Sequence, residues 1–298
     1  MKLLKETNID FLSMRKFGFV ISGSFILAGI VSLLLQGGPA LSIDFTGGTL
    51  AQIQFNQPPD IGKVRSALDK MNIGVGEVQT FGAPNEILIR LQVDNSKNDP
   101  AVELKKALQS EFPTEKLDFR RIEKVGPKIG AELKGKALFA IVTAIIGILI
   151  YISIRFEFRF AIGAIAALVH DVLITLGIFS ILNYEISLSI IAAFLTIVGY
   201  SLNDTIVVFD RVRENLKKLK TLDQESIFNK SINDSLSRTV ITSFTTFLVV
   251  SILYIAGGEV IRYFAFAMII GVLVGTYSSI YVASPVVVLW QQRYNTKN

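Results

Sequence analysis

Asn203 and Asp204 sit side by side inside an apolar run that extends from Ile186 to about Phe209, within a stretch that reads TIVGYSLNDTIVVFDRVREN over residues 196–215. Hydrocarbon does not solvate a carboxylate. An acid at that depth costs several kcal/mol unless it is protonated, paired or reached by water, so such residues mark working sites. Thr196, Gly199, Tyr200, Asn203 and Asp204 recur at i, i+3, i+4, i+7 and i+8. That spacing places them on one helix face, turned from lipid. A helix that only hydrogen-bonds its neighbours accounts for an asparagine, but poorly for an aspartate.

The chemistry open to such a group is gain and loss of a proton. Burial in general favours the neutral form of a carboxyl, and a nearby guanidinium favours the charged form. Arg238, which opens a later apolar run, is placed to meet Asp204 from an adjacent span, so the two can alternate between an ion pair and a protonated, separated state. The bland alternative for Arg238 is a side chain that snorkels to the membrane edge. His170 and Asp171 lie near the middle of another run, beside Gly163 and Ala167. They are either a second relay step or a satisfied pair inside the bundle. Arg238 continues as a stripe through Thr242, Thr245 and Thr246. Gly199, Gly271 and Gly275, with Ser278 and Ser279, have the small size that suits close helix contact. Asp210, Arg211, Arg213 and Glu214 read as an interfacial charge cluster.

Those residues need a membrane to act in. The chain is 51% hydrophobic and 18% charged, with mean hydropathy +0.50, which is membrane composition. Apolar spans are expected at residues 17–35, 137–154, 160–182, 186–209, 240–255 and 264–290, a multi-pass α-helical protein with six transmembrane helices. The first span follows a basic lead, residues 1–16, and is longer than a signal-peptide core, so an uncleaved anchor is expected. Residues 36–136 form a soluble-like insert with alternating runs at 49–55, 77–81, 86–92 and 116–123 and amphipathic helical patterns at 60–71 and 100–112. The order strand, helix, strand, strand, helix, strand is that of an α+β ferredoxin-like domain. A segment of 125–136 is expected as an amphipathic tether back to the spans.

Short connections carry the orientation. Arg155 and Arg159 lie between the second and third spans, and a basic loop at about 210–238 carries Arg211, Arg213, Lys217, Lys218, Lys220, Lys230 and Arg238. Residues 183–185 and 257–259 hold no lysine or arginine. The positive-inside rule then puts both termini, including the tail 291–298, in the cytoplasm and the insert outside. With no cysteine and a single histidine, thiolate and multi-histidine metal sites are excluded. The net charge of +5 fits lysines and arginines flanking spans better than nucleic-acid binding. Residues 130–136, GAELKGK, match the first seven positions of a phosphate-binding loop but continue with Ala137 in place of the magnesium-binding hydroxyl. No nucleotide or other cofactor is expected.

Four separated motifs carry a resemblance: GYSLNDTIVVFDRVREN at 199–215, ALVHDV at 167–172, IDFTGGT at 43–49 and RTVITS at 238–243. Together they resemble the SecF branch of the SecD/SecF family of bacterial protein-export subunits, within the resistance-nodulation-division superfamily. The resemblance covers essentially the whole chain. It implies no enzymatic turnover, a six-span SecD partner that contributes a further intramembrane carboxylate, and work beside the SecYEG channel and the SecA motor. It implies that the proton gradient helps to draw exported polypeptide across the inner membrane, with Asp204 and Arg238 in the proton pathway. Two other classes share these features: half of a proton-coupled exporter of small molecules or lipids, and a scaffold for the translocon that uses no energy.

Overall fold

The computed structural model describes residues 7–70, 75–91 and 100–295. Leu41–Phe139 forms one compact unit, and the chain on either side of it forms another. Among the described residues six helical stretches are long and apolar enough to cross a membrane.

In the second unit, α1 (Arg15–Leu35) carries no charge beyond Lys16. It stops where Gly37 and Gly38 take positive φ, with Gly38 N–H closing back on the Leu33 carbonyl at 2.8 Å, a left-handed cap that glycine adopts without strain. α1 lies hard against α6 (Phe158–Ile181). A Cβ on Gly29 would fall 2.6 Å from the Gly177 Cα, while Ser32 and Ser180 share a hydrogen bond of 2.8 Å and Gln36 Nε2 donates to the Ser180 carbonyl at 2.9 Å. By contrast α5 (Pro127–Arg155) leaves most of its apolar side chains exposed and buries Ile152 near its C-terminal end. It starts ten residues before the expected span at 137, absorbing the expected tether. Pro127 favours the first helical turn, and no breaker stronger than glycine follows.

α7 (Leu188–Lys218) and α8 (Gln224–Ala256) correct a second expectation. Residues 210–238 form the ends of these two helices, and only residues 219–223 make a turn between them. The charges there are helix-compatible: Arg211 pairs with Glu214 at 2.7 Å and Lys218 with Glu214 at 2.7 Å, the i,i+3 and i,i+4 spacings that support a helix. Asp223 caps α8, accepting from Ser226 N at 3.2 Å, and the Ser226 contacts hold its carboxyl below the usual carboxylate range. α9 (Glu259–Ser278) runs through a π-helical turn, Ser279–Ala283, into α10 (Ser284–Asn295). Pro285 lacks an N–H and clashes with the preceding turn, a standard cause of such a break. Ser284 Oγ takes up one carbonyl of that turn, Ser279 O, at 2.9 Å. Phe160, Phe209, Phe228, Val212 and Val287 belong to one buried core of this unit.

In the first unit β1 (Gly48–Gln54), α3 (Ile61–Lys70), β2 (Val75–Phe81), β3 (Ala83–Leu91), α4 (Pro100–Glu111) and β4 (Asp118–Val125) follow a short α2 (Ile43–Thr46). The sheet order β2-β3-β1-β4, antiparallel throughout, is ferredoxin-like. Met71 and Gln92, the expected last residues of two elements, lie outside the described residues. Strand alternation turns Ala51, Ile53, Ile87 and Ile89 toward Val64, Leu68, Leu104 and Leu108. Gly47 and Gly48 both hold positive φ, and a Cβ on Gly48 would meet the Leu91 carbonyl at 2.7 Å, so this pair must stay glycine.

Two outcomes follow. Gly29→Val should force α1 from α6 and lower the thermal midpoint of the detergent-solubilised chain, at an overpacking cost of about 1–3 kcal/mol. Gly23→Val, whose Cβ meets nothing within 4 Å, serves as the control; equal midpoints would show that the glycine seam is not under compression. Asp223 has its carboxyl held down in the folded state, so its cap is present at neutral pH and is lost as pH falls through that carboxyl's range. The protection of the Ser226 amide, taken relative to the intrinsic exchange rate at each pH, should fall on acidification, and Asp223→Ala should abolish that fall.

Candidate proton site

Asp204 is 1% exposed, on the stretch of α7 that faces both α8 and α9. Its Oδ2 accepts from Ser243 Oγ of α8 at 3.1 Å and from Thr276 Oγ1 of α9 at 3.5 Å, and Thr276 Oγ1 also donates to Ser243 Oγ at 2.7 Å. The helices come this close because α9 offers glycines. A Cβ on Gly271 would meet Ile197 Cγ1 at 2.3 Å, and one on Gly275 would meet Ser201 Cβ at 3.1 Å. Gly199 behaves differently. Its Cβ would meet nothing within 4 Å, so it packs against none of the described helices.

The polar face expected around Asp204 divides in two. Asp204 turns into the bundle, while Thr196, Gly199 and Asn203 are exposed. Arg238 is also exposed, and its side chain makes no hydrogen bond or ion pair with any described residue, although it is near enough for its charge to act on Asp204. The expected threonine stripe does not serve the acid: Thr242, Thr245 and Thr246 give their hydroxyls to carbonyls of their own helix. Ser243, one position off that stripe, and Thr276 take the role. Both went unrecognised because a lone hydroxyl in an apolar run has no signature until a partner helix faces it.

Asp171 forms a second buried centre, also 1% exposed. Ser201 Oγ of α7 donates to its Oδ2, as does Ser278 Oγ of α9 at 2.8 Å. Its Oδ1 lies 2.8 Å from His170 Nδ1, and His170 Nε2 lies 2.9 Å from Ser22 Oγ of α1. The imidazole stacks on Tyr277 with ring centroids 5.9 Å apart, and Tyr277 OH donates to the Gly18 carbonyl at 2.6 Å. Both ring nitrogens of His170 and both oxygens of Asp171 therefore have partners, and the pair joins α1, α6, α7 and α9. Ser201 lies three residues from Asp204 and Ser278 two from Thr276, so the same two helices serve both acids. Gly163 is a contact residue: its Cβ would meet Val287 Cγ2 at 2.5 Å.

The charge cluster at the end of α7 is exposed and paired, Arg155 with Asp210 at 3.3 Å and Arg211 with Asp234 at 3.4 Å. Residues 130–136 are helical, with Gly130 N–H bonded to Gly126 O at 3.0 Å and Lys136 paired to Glu132 at 2.8 Å. Amides committed to a helix interior cannot cradle phosphate.

Fold and site together define a multi-pass membrane protein whose bundle buries two acids and whose first two spans flank a ferredoxin-like insert. Residues 104–293 match the family of the protein export membrane proteins SecD/SecF, C-terminal region, and residues 33–59, which hold Gly47 and Gly48, match the SecD/SecF GG motif. The chain belongs to the SecD/SecF family. It is 48% identical to the protein translocase subunit SecF of Calditerrivibrio nitroreducens, over 97% of this chain and 96% of that protein. It is likewise 48% identical to that of Thermodesulfovibrio yellowstonii, over 97% of this chain and 96% of that protein. Among solved structures it is similar to SecDF, a translocon-associated membrane protein from Thermus thermophilus, with a TM-score of 0.87 and 37% identity. That match takes in 97% of this chain but only 39% of SecDF.

Removing one hydroxyl donor from a buried carboxylate leaves an acceptor unpaired, at a cost of about 1–3 kcal/mol. Ser201→Ala and Ser278→Ala should each lower the unfolding midpoint of the solubilised chain. The double variant should depart from additivity, because both hydroxyls serve one Asp171 oxygen. Three midpoints equal to wild type would mean that Asp171 does not depend on them.

Proposed function

We propose that the chain is a SecF-type subunit of a bacterial protein translocase accessory complex, which uses the proton-motive force to assist late steps of protein export across the cytoplasmic membrane. It is an accessory transport protein without enzymatic turnover. One observation carries the reading: Asp204 is buried among hydroxyls of two other helices, with no described cation in ion-pair contact and Arg238 standing unpaired close by. That is the arrangement of an acid able to exchange a proton rather than one locked in a salt bridge. Each elementary charge moved through the membrane is worth about 2.3 kcal/mol per 100 mV, enough for a few protons to drive a domain movement.

Other features support the same assembly. Thr196, Asn203, Arg238 and Thr245 are exposed within apolar spans, a surface that suits a second membrane subunit better than lipid. A SecD partner with its own intramembrane carboxylate fits there. SecYEG, SecA and the exported polypeptide are the further partners in this reading. The basic helix ends, with Arg155, Arg213, Lys217 and Lys220, favour both termini in the cytoplasm and the ferredoxin-like unit on the outer side. Asn203, Asp171 and His170 belong to the pathway or its support.

In inverted vesicles that carry the chain with SecD, Asp204→Asn and Arg238→Met should each reduce export to the level seen without a proton gradient. Wild-type export by both would leave only a scaffold role. The purified chain alone should not conduct protons in liposomes, since half the pathway is missing; robust conduction would contradict the divided site.

A further inference from the structure

Beyond Asp204, α8 carries a file of small hydroxyls. Ser231, Ser235, Thr239 and Ser243 follow one another at four-residue spacing, and none is more than 8% exposed. Contacts across to α7 anchor both ends. Ser243 donates to Asp204 Oδ2 at 3.1 Å, while Ser231 accepts from Asn215 Nδ2 at 3.0 Å, and the same Nδ2 donates to Asp234 Oδ2 at 3.2 Å. Asp234 lies at the charged end of the bundle, near Arg211 at 3.4 Å and Lys230 at 3.9 Å. The file thus joins a buried acid in mid-span to a surface acid.

Thr239 breaks the local pattern. A hydroxyl inside a helix commonly bonds a carbonyl three or four residues back, and Ser231, Ser235, Thr242, Thr245 and Thr246 all do so. Thr239 does not. Its Oγ1 is buried and has no hydrogen-bond partner among the described residues, on a residue 2% exposed. Buried polar atoms are almost always satisfied by protein or by ordered water. This one stands one turn from Ser243 and one turn from Ser235.

We propose that the α7–α8 seam is the cytoplasmic half of the proton path, and that Thr239 binds the water that makes it continuous. This rests on the reading of Asp204 as the proton-exchanging acid. A proton leaving the Asp204 carboxyl passes to the water at Thr239, and each hydroxyl or water along the file accepts one proton and gives up one. Asp204 ends as carboxylate, the intermediates are unchanged, and bulk water beyond Ser231 takes the proton, since the Asn215 amide nitrogen between Ser231 and Asp234 only donates. The charged groups facing the file are Arg238, adjacent to Thr239, and Arg211 and Lys230 at the exit.

The test uses the complex with SecD in inverted vesicles. Thr239→Val keeps the shape and removes the hydroxyl; Thr239→Ser keeps the hydroxyl. Replacing an unpaired buried hydroxyl by a methyl is neutral or stabilising if the role is structural, so the thermal midpoint of Thr239→Val should match or exceed wild type. Gradient-dependent export should nevertheless be lost in Thr239→Val and retained in Thr239→Ser. Asp204→Asn is run alongside. Normal coupling in Thr239→Val with loss in Asp204→Asn overturns this path and leaves the acid's role standing. Normal coupling in Asp204→Asn removes the reading beneath, and the path with it.

Discussion

An acid placed in hydrocarbon must receive its polar partners from the helices around it, because no solvent will supply them. Both intramembrane acids obey this. Asp204 takes hydroxyls from α8 and α9, and Asp171 takes hydroxyls from α7 and α9 and a ring nitrogen from its neighbour His170. A serine or threonine side chain is short, so the backbones must come close for these bonds to form. Gly271 and Gly275 permit that on α9. The small residues and the acids are two parts of one solution.

α7 and α9 are common to the two centres, so both acids draw on the same two helices. α1 is tied to this system through Ser22 and His170 at 2.9 Å and through the Gly29–Gly177 contact. α5 has no comparable seam and buries little. The two spans that lead into and out of the ferredoxin-like unit are therefore held very differently. The polar residues left at the bundle surface, Asn203 and Arg238 among them, are those that the proposed second subunit would cover.

Thr239 shows how one unpaired atom can carry more information than a satisfied network. Its neighbours on α8 close their hydroxyls onto their own backbone and must turn from it before they pass a proton. A hydroxyl that forgoes that bond keeps both its donor and its acceptor capacity, which is what a proton relay requires.

Much of this was determined by the sequence by itself. Hydropathy set the number of spans, since a run of about twenty apolar residues spans the hydrocarbon core. Period-two and helical patterns set the βαββαβ order, and the depth of Asp204 and Asp171 marked them as costly, because each of these is a local property of a run. Where residues 210–238 turn was not legible: charge suggested a loop, while i,i+4 pairing carried both helices on to Lys218 and from Gln224. Nor did spacing tell which part of a polar face would be buried. It grouped Asn203 with Asp204, and packing separated them, because a helix face is shared among whichever neighbours the tertiary fold supplies. Only that fold decided that Ser243 rather than Arg238 touches Asp204 and that Thr239 is left unpaired, since a hydrogen bond between helices depends on crossing distance and register, which no single helix encodes.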